Sequence, residues 1–192
     1  MSDGSLIERI MTEKFDYTNT FFHKQPFLDL CSQVSAANYK DLDIIICSDV
    51  LEHTFATPIE VLPNLRQMLR PGGLLILTVP TNHMPNTIEW YGGAVCPPVP
   101  EKQELGSWVV RWSDRRGNDY IDQHPSFHGG PGDTLEMRMI SHSQIAAEGK
   151  RCGFEVSNLE FKPDAGYYWS LLVAENYFDR RDARVFMMRR ES

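Results

Sequence analysis

The most informative stretch of the chain runs from Asp43 to His53 and reads DIIICSDVLEH. Residues 43–47 form an almost wholly apolar run, in which polar and apolar side chains do not alternate. A strand of this kind is covered on both faces, as in a parallel α/β sheet. We therefore predict a buried strand over residues 43–47, with residues 48–53 in the loop at its carboxyl end.

A helix and a second strand follow directly. Thr57 is a suitable N-cap, Pro58 suits the first helical turn, and Glu60 stands where a capping box needs a carboxylate. Apolar residues then recur at helical spacing, and they are Val61, Leu62, Leu65, Met68 and Leu69. The Pro-Gly-Gly turn at residues 71–73 ends the helix, and the apolar run over residues 74–79 is the next strand. This order of elements predicts a βαβ unit.

Weaker patterns extend the prediction toward the N-terminus. Residues 5–14 have apolar side chains on one helical face and predict a helix. Residues 17–22 are rich in aromatic residues and Thr and predict a strand, and residues 27–30 predict a short apolar one. The link between these two strands is too short for a helix.

The C-terminal part predicts one more helix and two more strands. Ser141, with Gln three residues later, indicates a capped helix that ends at Cys152 with Gly beyond it. Residues 154–161 and 168–174 predict two strands, joined closely enough for an antiparallel pair. Residues 175–192 fit a helix, a strand or a loose end equally well.

Residues 81–140 differ from the rest of the chain, because they hold much of its Pro, Gly and Trp and show poor periodicity. A segment this long inside a compact domain is usually either functional or disordered, and its aromatic residues argue against disorder. We predict a single domain over residues 1–192, in which residues 81–140 form a lid or substrate-covering insertion.

Composition excludes several classes of protein. The 192 residues are 42% hydrophobic and 23% charged, with a net charge of −7 and no cluster of Lys and Arg, which disfavours a nucleic-acid partner. No apolar run approaches the roughly 20 residues that span a bilayer, and no secretory signal opens the sequence. The four cysteines are far apart, as expected for free thiols in a reducing compartment. These features predict a cytoplasmic protein without a membrane or nucleic-acid partner.

The motifs at residues 43–53 and 69–80, with the capped helix between them, resemble those of class I S-adenosylmethionine-dependent methyltransferases. The likeness is greatest to the small-molecule group called methyltransferase type 11, and it covers residues 41–80 closely. The segment at residues 141–156 resembles that family's last helix and sixth strand. The resemblance implies a Rossmann-like α/β sheet that is mostly parallel, with an antiparallel C-terminal strand.

One part of the family pattern is not found. The family's Gly-rich loop, which follows its first strand and holds the amino-acid part of the cofactor, has no clear counterpart. Gly4 can be the tail of such a loop, since a predicted helix follows it directly. In that case the first strand is missing, and the sheet has a gap. An unpaired edge invites pairing with another chain, so we also expect a possible homodimer.

The resemblance implies S-adenosyl-L-methionine as the cofactor and places its site at the carboxyl ends of the strands. Backbone groups of Ser48, Asp49 and Val50 would lie against the cofactor, with Gly4 near its amino-acid part. Asp29 and Leu30, at the end of the short third strand, would lie near its adenine.

Each of these residues also has a structural interpretation. Asp49 and Glu52 are spaced as a helix N-cap and its partner. Asp29 can simply cap or turn the chain. His53 can be a structural histidine, or it can contact the cofactor or accept the acceptor's proton as a catalytic residue, since histidine titrates near neutral pH.

Two further histidines lie in the insertion. His124 and His128, with Glu136, could form a metal site, but their spacing fixes no common face. We therefore predict no metal site, and we interpret His124 and His128 as substrate-binding or loop residues.

The leading functional hypothesis is methyl transfer to a small-molecule or saccharide-type acceptor. The competing hypothesis is a truncated, non-catalytic methyltransferase-like module that acts through a partner. A nicotinamide-dependent dehydrogenase is disfavoured, because the sequence has no G-x-G-x-x-G motif.

Overall fold

The computed structural model describes residues 5–159 and 182–191, and it shows a mixed α/β fold. The helices are α1 (Ser5–Lys14), α2 (Gln33–Ala36), α3 (Pro58–Met68) and α4 (His142–Arg151). The strands are β1 (Leu42–Ser48), β2 (Leu69–Asn82), β3 (Ile88–Glu89), β4 (Val99–Lys102), β5 (Trp108–Ser113), β6 (Asp119–Asp122), β7 (Phe127–His128), β8 (Thr134–Leu135), β9 (Arg138–Ser141), β10 (Phe154–Leu159) and β11 (Asp182–Arg190).

The predicted βαβ unit is confirmed. Strands β1 and β2 pair in parallel, with Ile45 opposite Leu75 and Ser48 opposite Thr78. Helix α3 connects them, and its capping box is present, because the Thr57 backbone N–H donates a 2.8 Å hydrogen bond to the Glu60 carboxylate.

Strand β2 lies at the centre of the main sheet and pairs with three other strands. Strand β11 runs antiparallel along one edge of β2, and β10 pairs antiparallel with β11, so that β10 points the same way as β2. The other edge of β2 pairs in parallel with β1 and, beyond it, with β9. Strand β3 is antiparallel to β9. Strands β1, β2, β9 and β10 therefore share one direction, and β11 runs against them.

The main core lies between this sheet and helices α3 and α4. Its fully buried side chains include Cys47, Leu62, Leu65, Leu77 and Phe186. Helix α4 approaches the sheet closely at Gly149, where an added Cβ would lie 2.9 Å from Val156 Cγ2. Burial of this apolar surface is the main stabilising contribution to the fold.

Several boundaries differ from the predictions. The strand predicted at residues 17–22 is wrong, because within residues 5–159 and 182–191 this segment makes only an isolated bridge between Phe21 and Phe27 and pairs with no strand. Residues 27–30 likewise form a bridge and a turn rather than a strand. Residues 175–192, for which the sequence favoured no one structure, include a strand, β11. The strand predicted at residues 168–174 lies outside the described residues.

Residues 81–140 continue β2 and β9 and form small β-elements. Strands β4, β5 and β6 make an antiparallel sheet, and β7 and β8 make a hairpin. A second core packs here, with Tyr91, Val110 and Met137 buried and Trp112 against them. The Tyr91 hydroxyl donates a 2.7 Å hydrogen bond to Asp122, which ties this core to β6.

Strand β1 has an open outer edge among the described residues. Its described pairing is with β2, and Ile44 is 47% exposed. A cavity of about 450 Å³ runs along this edge and is lined by residues that include Leu28, Tyr39, Ile45 and Met68. No helix in the described part of the chain is long and apolar enough to cross a membrane.

Candidate functional site

The carboxyl ends of β1 and β2 meet at one rim of the main sheet. Ser48 ends β1, and its hydroxyl lies 2.6 Å from the hydroxyl of Thr78 on β2. The backbone N–H of Asp49 donates a 2.9 Å hydrogen bond to the Thr78 carbonyl, and Asp49 has a φ of 48°. This left-handed conformation, uncommon outside glycine, turns the chain out of the strand and leaves Ser48 and Asp49 exposed at the rim.

The interpretation of Asp49 and Glu52 as a helix cap and its partner is wrong. Residues 51–53 form a turn rather than a helix, with the His53 N–H bonded to the Val50 carbonyl. The turn places Glu52 inside the protein, where its side chain is fully buried and neither carboxylate oxygen has a hydrogen-bond partner among the described residues. Burial raises the pKa of Glu52 to about 8, and the charge of Asp49 adds to the increase.

His53 is held from the side opposite Glu52. Its Nδ1 lies 2.8 Å from the Leu135 carbonyl, and since a carbonyl only accepts, Nδ1 carries the proton. The lone pair is therefore on Nε2, which lies 3.7 Å from the Glu52 carboxylate. Burial lowers the pKa of His53 below its ordinary value, which favours the neutral ring.

His128 joins these two residues from the insertion. Its ring packs edge-on against that of His53, with centroids 5.5 Å apart. One ligand atom from each of Glu52, His53 and His128 lies within 4.8 Å of the others. The structure thus brings His53 and His128 together, as a shared site requires. Glu52, which the sequence suggested only as a capping residue, is the third member.

Hydrogen bonds join the insertion to the rim beneath this cluster. The Met137 N–H donates a 2.7 Å bond to the Glu52 carbonyl, and the buried Arg138 guanidinium donates to the carbonyls of Leu51 and Thr54 at 2.6 Å. Arg138 also forms an ion pair with Glu89 at 2.8 Å. Sequence patterns did not identify Arg138, because it lies near the end of the insertion and shares no motif with the loop that it binds.

Asp29 and Leu30 lie beside the same loop. The Asp29 carboxylate accepts a 2.8 Å hydrogen bond from the Cys31 N–H, so the turn-forming role of Asp29 is present. The Cys31 thiol contacts the backbone of Ala56, and Leu30 is buried with its carbonyl bonded to a side chain of α3. A cofactor contact for either residue stays a prediction.

His124 is not part of the described cluster, and Gly4 cannot be compared with it. Gly4 lies outside the described residues. His124 is exposed, its N–H donates to Asp122, and its side chain is not among the described contacts of His53. The cavity along β1 is lined by β1 residues up to Ile46 and by residues of other elements, but not by Ser48 or Asp49.

Comparison with known proteins gives a family match. A family model described as a methyltransferase domain matches residues 6–157, which is most of the chain. No curated protein matches the sequence.

Several methyltransferases are among the solved structures that match this chain. An S-adenosylmethionine-dependent methyltransferase from Mesorhizobium loti is 16% identical over 98% of this chain and 77% of its own, with a TM-score of 0.46. A 1,6-didemethyltoxoflavin-N1-methyltransferase from Burkholderia thailandensis is 12% identical over 80% of this chain and 46% of its own, with a TM-score of 0.38. A glycopeptide N-methyltransferase is 19% identical over 84% of this chain and 62% of its own, with a TM-score of 0.41.

The chain thus spans less than two thirds of the length of the last two of these proteins. The residues that the family model matches, 6–157, include the strand–loop motif at residues 43–53 and the helix and strand at residues 141–156. The chain belongs to the methyltransferase domain family, and the resemblance to class I S-adenosylmethionine-dependent methyltransferases is confirmed.

Proposed function

We propose that this chain transfers a methyl group from S-adenosyl-L-methionine to a small-molecule or saccharide-type acceptor at the rim where β1 and β2 end. The observation that carries the proposal is the parallel pairing of these strands, which delivers Ser48, Asp49 and His53 to one edge of the sheet. In open α/β sheets, ligands bind beyond the carboxyl ends of the strands.

The residues at this rim fit the cofactor in chemistry. The exposed carboxylate of Asp49 and the hydroxyls of Ser48 and Thr78 can accept or donate hydrogen bonds to a ribose or an amino-acid group. The rim is also acidic, since the charges of Glu136 and Asp49 both act on His53. A negative potential favours the positively charged sulfonium.

The cofactor supplies an already activated methyl group, so the protein contributes mainly binding and alignment. His53 fits a role next to the acceptor, because its Nε2 lone pair is free of protein hydrogen bonds and faces the cluster with His128. The hairpin of β7 and β8 would cover the acceptor, since Leu135 and His128 from this hairpin already contact His53.

The test uses His53→Ala and labelled S-adenosylmethionine in a screen of small acceptors. We expect turnover to fall by about 10²-fold or more, as for loss of a positioned acid–base or polar group, with cofactor affinity nearly unchanged. His23→Ala, which removes an exposed histidine near Phe21, is the matched control and should keep full activity. Small and equal losses in turnover and affinity would exclude a role for His53 at the acceptor.

One observation supports the alternative of a non-catalytic module. The outer edge of β1 is open in the described part of the chain, and a partner strand could pair there. Under this alternative, neither the wild-type chain nor His53→Ala would bind S-adenosylhomocysteine, which separates the two hypotheses.

A further inference from the structure

We propose that Glu52, His53 and His128 form a binding site for a divalent transition-metal cation. Glu52 and His53 lie in the loop after β1, whereas His128 lies in the hairpin of the insertion. Their ligand atoms lie within 4.8 Å of one another, and the closest described pair, His53 Nε2 and a Glu52 oxygen, is 3.7 Å apart. Tetrahedral zinc with ligands at about 2.0–2.2 Å needs ligand atoms roughly 3.3 Å apart, so small side-chain rotations suffice.

The Glu52 carboxylate needs a partner that the described protein does not supply. Its side chain is fully buried, and both oxygens lack a hydrogen-bond donor. A buried carboxylate without a donor or a counter-charge is costly, and such groups in native proteins usually indicate an ion or a water molecule. The carboxylate therefore points to a ligand at this position.

The nearest cationic side chain does not fill this role. Arg138 acts on Glu52 electrostatically, but its described hydrogen bonds go to Glu89 and to the carbonyls of Leu51, Thr54 and Phe55. With the guanidinium bound elsewhere, the Glu52 oxygens are left available to a cation, which would displace the carboxyl proton.

His53 has the geometry of a histidine ligand. Its Nδ1–H donates to the Leu135 carbonyl, which fixes the ring and leaves the Nε2 lone pair toward Glu52 and His128. Metal-binding histidines commonly make this second hydrogen bond to a carbonyl, which holds the tautomer that binds metal.

The donor set indicates the type of cation. Two imidazoles and one carboxylate suit zinc, iron, cobalt or manganese, whereas magnesium and calcium prefer ligand sets made of oxygen alone. Three protein ligands leave coordination positions open, and the exposed His128 places them on the solvent side. A bound cation would also join the insertion to the main sheet.

The site was not evident from the sequence, because Glu52 and His128 are far apart in the chain and the spacing suggested Glu136 as the carboxylate instead. The Glu136 carboxylate accepts a 2.7 Å hydrogen bond from the Ser126 hydroxyl, whereas that of Glu52 has no donor. A cation at this site would use the His53 Nε2 lone pair, so a loaded His53 could not also accept a proton from the acceptor. The Zn²⁺ titration contains neither cofactor nor acceptor, so the two proposals can fail separately.

The test is a calorimetric titration of the chelator-treated full chain with Zn²⁺, with Mg²⁺ as the comparison ion. We expect one Zn²⁺ per chain and weak or undetectable Mg²⁺ binding. Glu52→Gln and His128→Ala should each weaken Zn²⁺ affinity at least tenfold. His124→Ala, which removes an exposed histidine of the same insertion, is the matched control and should bind as the wild type does.

Thermal unfolding keeps the test decisive if a variant folds poorly. Zn²⁺ should raise the melting temperature of the wild type and of His124→Ala, but not that of His128→Ala, whose exposed side chain is not needed for folding. The proposal is overturned if the wild type binds no Zn²⁺, or if His128→Ala binds it as tightly as the wild type. A parallel titration with S-adenosylhomocysteine reports on the cofactor site alone.

Discussion

Individual side chains hold the insertion against the rim, and Arg138 is the main one. It is buried, and its guanidinium joins the loop after β1 to Glu89 of the insertion. Bidentate and charge-assisted hydrogen bonds of this kind depend on the planar guanidinium, which an ammonium group does not reproduce. Arg138 thus positions the loop that carries Glu52 and His53.

Arg138→Met should destabilise the protein by about 3–5 kcal/mol, because it leaves three carbonyls and the Glu89 carboxylate without their donor. Arg138→Lys should lower the stability by less than Arg138→Met does, but it should still be less stable than the wild type. Urea denaturation measures both variants. If Arg138→Met were as stable as the wild type, Arg138 would not be what holds the insertion against the loop after β1.

At the scale of elements, the βαβ unit could be predicted because its information is local. The apolar run at residues 43–47 and the cap at Thr57 predict their elements correctly. The turn predicted at residues 71–73 is wrong, because α3 ends at Met68 and β2 begins at Leu69 and includes these residues. The segment at residues 17–22 was mispredicted, because strand propensity counts only when a neighbouring strand supplies a ladder. The cluster of Glu52 and His128 could not be predicted either, since a tertiary contact across the insertion brings these residues together.

Helix α3 offers a test of the capping interpretation. Thr57→Ala should lower the free energy of unfolding by about 1 kcal/mol. The hydrogen bond from the Thr57 hydroxyl lowers the pKa of Glu60, so this stabilisation is present above the ordinary carboxyl pKa and is lost as pH falls through the lowered one. Urea denaturation from neutral to acidic pH should show the difference between the two proteins shrinking. A difference that stays constant over this range would exclude the carboxylate's part in the cap.

The C-terminal strand provides a second test at this scale. Strand β11 lies between β2 and β10, and Phe186 on it is fully buried. Phe186→Ala should cost about 3–5 kcal/mol, the usual range for removing a buried phenylalanine. Val185→Ala, a partly buried neighbour, should cost clearly less. Equal losses in denaturation experiments would contradict the central position of β11.

For the whole molecule, the open edge of β1 bears on how copies of the chain associate. Exposed strand edges favour pairing with another chain, and Ile44 adds an exposed apolar side chain there. We propose that the chain forms a homodimer through this edge. Sedimentation velocity should show the mass rising toward that of a dimer with concentration, and Ile44→Lys should remain monomeric. A wild-type protein that stays monomeric at every concentration would rule this out.

The proposed methyl transfer requires that a nucleoside cofactor binds at the rim formed by β1 and β2. The most direct measurement is a calorimetric titration of S-adenosylhomocysteine into the wild-type chain and into Ser48→Trp, whose indole would fill the rim at an exposed position. We expect one molecule bound per wild-type chain and no binding to Ser48→Trp. Absence of binding to the wild type, or equal binding to both proteins, would contradict cofactor binding at this rim.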